Sequence, residues 1–186
     1  MVLTLTAERA VLAPIAVYAW QVLGAGVIFK PVQGGRTYGL AWLMTLGFIA
    51  LVANAGTEPV KPVLLAVAGM CLIAALALFE WARRTVRGQF FSWIFSSDTP
   101  MFLCTAGPYA YVRNPFYTSY LLTMASTVAI VPTALRALVW SGMVIYFMRA
   151  ALYEEKKFAR SALADECARY RQRTGRFLPK ISAMWR

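Results

Sequence analysis

Five times the sequence runs for about 17–25 residues with few or no charges, the length a helix needs to cross the hydrocarbon core of a bilayer. The runs cover approximately 10–29, 38–55, 62–81, 115–131 and 133–153. In lipid, a spanning segment must satisfy its own backbone N–H and C=O groups, which a helix does. The chain carries no strand pattern, so helices are expected. The breaks between runs are short: "KPVQGGR" after the first, "GTEPVKP" between the second and third, and Pro132 alone between the fourth and fifth. A connection that brief makes the last two runs an antiparallel hairpin. The expected fold is therefore all-α, a polytopic membrane protein with about five transmembrane helices in one domain over 1–186.

Composition and charge placement agree with this. Hydrophobic residues make up 60% and charged residues 15% of the 186, against roughly 45–50% and about 25% in a soluble domain. The net charge of +11 would suit nucleic acid only on a soluble surface. Here the basic residues lie between apolar runs, so anionic lipid headgroups and membrane topology explain them and no nucleic acid is expected. With the N-terminus outside, the outer loops hold Arg9, Lys61 and Arg136, and every other Lys and Arg falls inside. The C-terminus is then cytoplasmic, and the expected location is a bacterial inner membrane. The start "MVLTLTAERA" lacks the basic region and cleavage site of a signal peptide, so the first run is expected to stay in the mature protein.

Several chemistries drop out early. There is no histidine and no CxxC, and Cys71, Cys104 and Cys167 are scattered. No metal site is expected, and the cysteines read as reduced thiols. A glycine-rich strand-to-helix turn is absent, which excludes a Rossmann-type enzyme. The stretch "WARRTVRGQFFSWIFSSDTPMFLCTAG" is too polar at its ends to span; its arginines and aromatics suit the headgroup boundary.

Polar residues gather at "TAGPYAYVRNPFY" and "YEEK". Asn114 and Pro115 form a helix start, since Asn is a good N-cap and Pro is favoured at the first helical position. If the hairpin folds about Pro132, the residue opposite Pro115 lies near Arg149, and Glu154 and Glu155 follow a turn later. Arg113, Tyr109, Tyr111 and Tyr117 then meet two carboxylates at one depth. Two readings stand on the residues alone: a site, because polar groups near membrane depth mark function, or snorkelling arginines and an interfacial tyrosine belt. Beyond Tyr153 the tail keeps a helix-forming composition, with Ala159, Leu163, Cys167 and Tyr170 on one face of a cytoplasmic helix. A helix N-terminus attracts a carboxylate and glutamates attract a cation. S-adenosylmethionine carries both groups, a fit that is permissive and does not select it.

"GPYAYVRNPFY", a short hairpin and then "YEEKKFARSALADECARYRQRTGRFLP" together resemble the integral membrane superfamily of isoprenylcysteine carboxyl methyltransferases and phospholipid methyltransferases. The resemblance covers about Thr105 to Lys180 and marks 105–180 as the catalytic part. It implies S-adenosylmethionine as cofactor, bound at the cytosolic face by the loop, the fifth run and the tail, with membrane lipids around it and a lipidic methyl acceptor entering from the bilayer. Carried over, Gly107, Tyr109, Arg113, Asn114, Pro115 and Tyr117 fall on the first motif and Glu154 and Glu155 on the second. Arg113, Glu155 and Arg149 are the expected catalytic residues; Gly107, Tyr109, Asn114, Pro115, Tyr117, Glu154 and Glu155 are expected to bind the cofactor. The superfamily's usual histidine is Asn114 here, so that position donates through an amide or only caps the helix. Glu155 begins the inward stripe of the tail and is expected, ahead of Glu154, to face the sulfonium. The expected activity is methylation of an isoprenylcysteine-type carboxylate, with Phe90 to Phe95 as the acceptor's entry. The alternatives are N-methylation of phospholipid ethanolamine and a non-catalytic membrane carrier or assembly protein.

Overall fold

A computed structural model describes residues 5–28, 35–53, 55–87 and 102–180. Among these the structure is helical, with α1 at Ala7–Ala10, α2 at Leu12–Ile28, α3 at Gly35–Val52, α4 at Pro62–Thr85, α5 at Pro115–Ile130, α6 at Ala134–Phe158 and α7 at Ala164–Arg173. A single 3-10 turn covers Gly107–Ala110, and the described residues hold no strand beyond two isolated bridges. The all-α expectation is met. Pro62 and Pro115 open α4 and α5, where a missing N–H has no helical partner to lose. Thr133 caps α6, its hydroxyl accepting from the Arg136 amide at 3.3 Å.

Helices α4, α5 and α6 alternate in direction. The Phe79 ring late in α4 meets Phe116 at the start of α5 with centroids 5.4 Å apart, and Tyr117 early in α5 lies 5.0 Å from Phe147 late in α6. The hairpin about Pro132 forms as expected. Helix α5 is the most enclosed, burying Phe116, Tyr117, Tyr120 and Met124 together with Ser119, Thr123, Ser126 and Thr127. Its buried hydroxyls bond back along the helix, Ser119 to the Phe116 carbonyl at 2.7 Å and Thr127 to that of Met124 at 2.6 Å. That is how a helix with so many hydroxyls tolerates an apolar setting.

Each of the five apolar runs contains a helix. Among the described residues two of these, α4 and α6, are long and apolar enough to cross a membrane. Helix α4 turns Val63, Val67, Met70 and Ile73 outward, an apolar face suited to lipid.

Arg136 is not an exposed loop cation. It is buried, donating from Nε to the Leu51 carbonyl at 2.8 Å and from Nη2 to that of Ala53 at 2.7 Å. The last carbonyls of a helix have no N–H to receive, and a guanidinium there supplies both donors and a favourable charge. Arg136→Ala is expected to lower stability by about 2 kcal/mol, read as an earlier thermal unfolding midpoint in detergent, with no change in any ligand affinity at the far end of the bundle.

The tail corrects one expectation. Helix α6 continues to Phe158, the chain then breaks, and α7 begins only at Ala164. Ser161 makes the break: its hydroxyl bonds the Phe158 carbonyl at 2.8 Å and accepts from the Leu163 amide at 3.2 Å, a local turn that competes with helix. Cys167 and Tyr170 are buried as the stripe predicts, but Ala159 is exposed because it precedes the break.

Candidate active site

The loop before α5 is shaped by Gly107, whose φ of +56° is a left-handed conformation and whose missing Cβ leaves room for the Thr85 side chain. The turn that follows buries Pro108 and Tyr109. The chain from Tyr111 to Asn114 then pairs with the tail. Gly175 donates its amide to the Tyr111 carbonyl at 3.1 Å, Arg113 to that of Gly175 at 2.8 Å, and Asn114 to that of Arg176 at 3.2 Å. This parallel bridge between Val112 and Gly175 needs glycine at 175, because a Cβ there would run into the Leu178 carbonyl.

Asn114 occupies the N-cap position of α5, yet its side chain makes no cap hydrogen bond. The amide Nδ2 donates instead to the Arg176 carbonyl at 3.2 Å. The returning tail offers an acceptor, and the side chain joins its own backbone N–H on that one oxygen. Thr118 tightens the same junction, its hydroxyl 3.1 Å from the carbonyls of both Asn114 and Phe177.

Behind this junction sits Glu155, with a side chain only 10% exposed. Three guanidiniums converge on it. Arg113 approaches Oε1 with Nη2 at 3.1 Å and Nε at 3.2 Å. Arg176 brings Nε to Oε1 at 3.0 Å and Nη2 to Oε2 at 2.9 Å. Arg171 lies 3.4 Å from Oε2. Arg113 also donates from Nη1 to the backbone carbonyls of Arg171, at 3.3 Å, and Thr174. It therefore pins the tail through both charge and backbone.

Glu154 serves a different partner. Neighbours on a helix point about 100° apart, and the Glu154 Oε1 accepts from the Tyr117 hydroxyl at 2.9 Å. Tyr117 in turn packs on Phe147. The hydroxyl of Tyr170 donates to the Tyr109 carbonyl at 2.6 Å; burial pushes the Tyr170 phenol up, so it stays a neutral donor near neutral pH.

The two faces of the paired segment differ. Val112 and Phe177, next in sequence to Arg113 and Arg176, line an apolar groove of about 330 Å³ with Trp81, Pro108, Tyr111 and Leu178. The Arg113 and Arg176 guanidiniums turn to Glu155 on α6, while the groove lies against Trp81 of α4.

The structure thus brings Gly107, Tyr109, Arg113, Asn114, Pro115, Tyr117, Glu154 and Glu155 to one end of the bundle. Arg149 is exposed on α6 and is not one of the arginines paired with Glu155. The expected entry segment, Phe90 to Phe95, lies outside the described residues. Sequence reasoning missed Arg171, Arg176 and Gly175 as site-builders. The run "RQRTGRF" marked the tail as basic, but its return past α7 to Glu155 follows no helical period.

Comparison with known proteins bears on what this end of the bundle does. The sequence profile of phospholipid methyltransferases matches residues 63–164, which is 102 of 186 residues (164 − 63 + 1). The chain belongs to the phospholipid methyltransferase family. No curated protein matches it. Family membership makes the chain a membrane methyltransferase, in keeping with the apolar helices α4 and α6. The matched phospholipid methyltransferase region contains α4, the motif loop, the hairpin and both glutamates, and stops before Arg171, Gly175 and Arg176.

Proposed function

We propose that the protein transfers a methyl group from S-adenosylmethionine to a lipidic carboxylate of isoprenylcysteine type, at the cytosolic ends of five membrane-crossing helices. One observation carries the reading. The two motif halves are joined at the same end of the bundle by Arg113 on Glu155 and Tyr117 on Glu154. Alternation of helix direction and the basic loops support the five-span arrangement with this end inside.

The residues present fit the donor. It is zwitterionic at its amino-acid end and cationic at sulfur, and the site offers an acid at Glu154, oriented by the Tyr117 hydroxyl, and a surplus of guanidinium charge beside Glu155. When bound, S-adenosylmethionine supplies an electrophilic methyl group. Glu154 would hold the cationic region by charge, and Tyr117 orients its carboxylate through the hydroxyl. Glu155 is committed to three arginines, so its role is to position Arg113 and the tail. This transfers to Glu154 the contact that sequence reasoning gave to Glu155. A carboxylate acceptor is already nucleophilic and needs no base, so alignment and exclusion of water are what the chain must provide. The apolar groove beside the motif loop suits the acceptor's hydrocarbon chain.

Membership of the phospholipid methyltransferase family favours a second reading, N-methylation of phospholipid ethanolamine. An ammonium must first lose a proton, and Glu154 would receive it. Purified protein incubated with labelled S-adenosylmethionine and fractionated lipids separates the two: label in a base-labile ester supports the carboxylate, and label retained in the phospholipid headgroup supports the amine.

Glu154→Gln is expected to weaken S-adenosylmethionine binding about tenfold, some 1.4 kcal/mol, by calorimetry. Unchanged affinity would place the sulfonium elsewhere.

A further inference from the structure

Glu155 is the only acid within 4.0 Å of Arg113, Arg171 and Arg176 among the described residues. One carboxylate cannot neutralise three guanidiniums, and the group sits in a partly desolvated junction where unbalanced charge is costly. Arg113 does not have much capacity left, since Nε and Nη2 hold Glu155 and Nη1 holds two carbonyls, which leaves one N–H of its five. The other two do. Arg176 spends Nε and Nη2 on Glu155, but its Nη1 faces only the Met148 thioether at 3.1 Å, and sulfur is a weak acceptor. Arg171 makes a single 3.4 Å approach to Oε2 and keeps 45% of its side chain exposed. Both guanidiniums thus meet at one oxygen, the Glu155 Oε2, Arg176 at 2.9 Å and Arg171 at 3.4 Å, with N–H donors to spare.

We propose that Arg171 and Arg176 bind a carboxylate of the reacting ligands, an assignment that rests on the methyltransferase reading above. A planar, rigid fork pairs with a carboxylate through parallel N–H donors, and a carboxylate supplies the charge this junction lacks. Two ligands carry one: the methyl donor, on its amino-acid end, and an acidic acceptor. The consequence is selectivity for acids over their carboxylate-free analogues, set by tail residues outside the matched family region.

The full chain in detergent, titrated by calorimetry, tests this with four probes: S-adenosylmethionine, its decarboxylated analogue, a prenylated thioether acid and the carboxamide of that acid. Arg171→Gln is expected to weaken one of the two acids about tenfold and leave its carboxylate-free counterpart unaffected, with Arg171→Lys recovering part of the loss. A loss confined to S-adenosylmethionine assigns the carboxylate to the donor; a loss confined to the thioether acid assigns it to the acceptor. Arg171 makes one long contact, so the thermal midpoint should hold; Arg176→Gln, which also loosens the tail, serves as the second variant. Wild-type binding of the acids with both variants indifferent overturns the arginine site and leaves methyl transfer standing. Wild-type protein that binds neither acid removes the methyltransferase reading and this site with it.

Discussion

Replacing Glu155 by glutamine is expected to release the C-terminal tail and abolish methyl transfer. The substitution leaves Arg113, Arg171 and Arg176 facing one another around a neutral amide. Arg113 is 11% exposed at its side chain and Glu155 10%, so neither charge is recovered by water without opening the junction. Removing one partner of a buried pair costs about 3–5 kcal/mol. Arg171 and Arg176 keep some access to solvent, which places the expected loss near the lower end, about 3 kcal/mol. Thermal unfolding in detergent reads the loss, and limited proteolysis between Ala159 and Gly175 reads the release. If Glu155→Gln unfolds at the wild-type temperature and merely binds S-adenosylmethionine less tightly, the carboxylate faces the sulfonium after all and the tail is held by other means.

Arg113→Ala should be nearly as severe, and by a different route. Arg113 is where the motif loop meets the tail, through Glu155 on one side and the carbonyls of Arg171 and Thr174 on the other. Its loss leaves Glu155 with two arginines, so stability falls less, while the loop that carries Tyr117 and Asn114 into position loses its brace. Misplacement by about 1 Å can cost on the order of a hundredfold in rate, and a decrease of that size in kcat is expected. Lysine should not rescue it, because an ammonium cannot reach the carboxylate and the two carbonyls together. Normal turnover in a folded Arg113→Ala protein would return Arg113 to an ordinary interfacial cation.

The helices and their order were readable because each has a local cause. Pro62 and Pro115 mark helix starts, Pro132 forces the hairpin, and the length of the apolar runs sets the length of the helices. The same locality makes the meeting of Tyr117 and Glu154 legible from the hairpin. Reasoning failed where partners come from distant parts of the chain. Asn114 looked like a cap because its neighbours offer a free helix N-terminus; the competing acceptor, the Arg176 carbonyl, is 62 residues away. Arg136 looked like a loop cation because nothing nearby in sequence reveals the carbonyls at the end of α3. For Arg149, hairpin register gives depth and says nothing of which side a residue faces; its side chain is exposed on α6.

From the sequence alone came a helical membrane chain, its antiparallel last pair, the clustering of polar residues at one end and the methyltransferase kinship, since hydropathy, helix punctuation and motif spacing are properties of neighbouring residues. Folding in three dimensions assigned the partners. It put Glu155 among three arginines and Glu154 on Tyr117, and it laid the tail along the motif loop, because charges taken out of water must find whichever counter-charge the whole fold brings within reach.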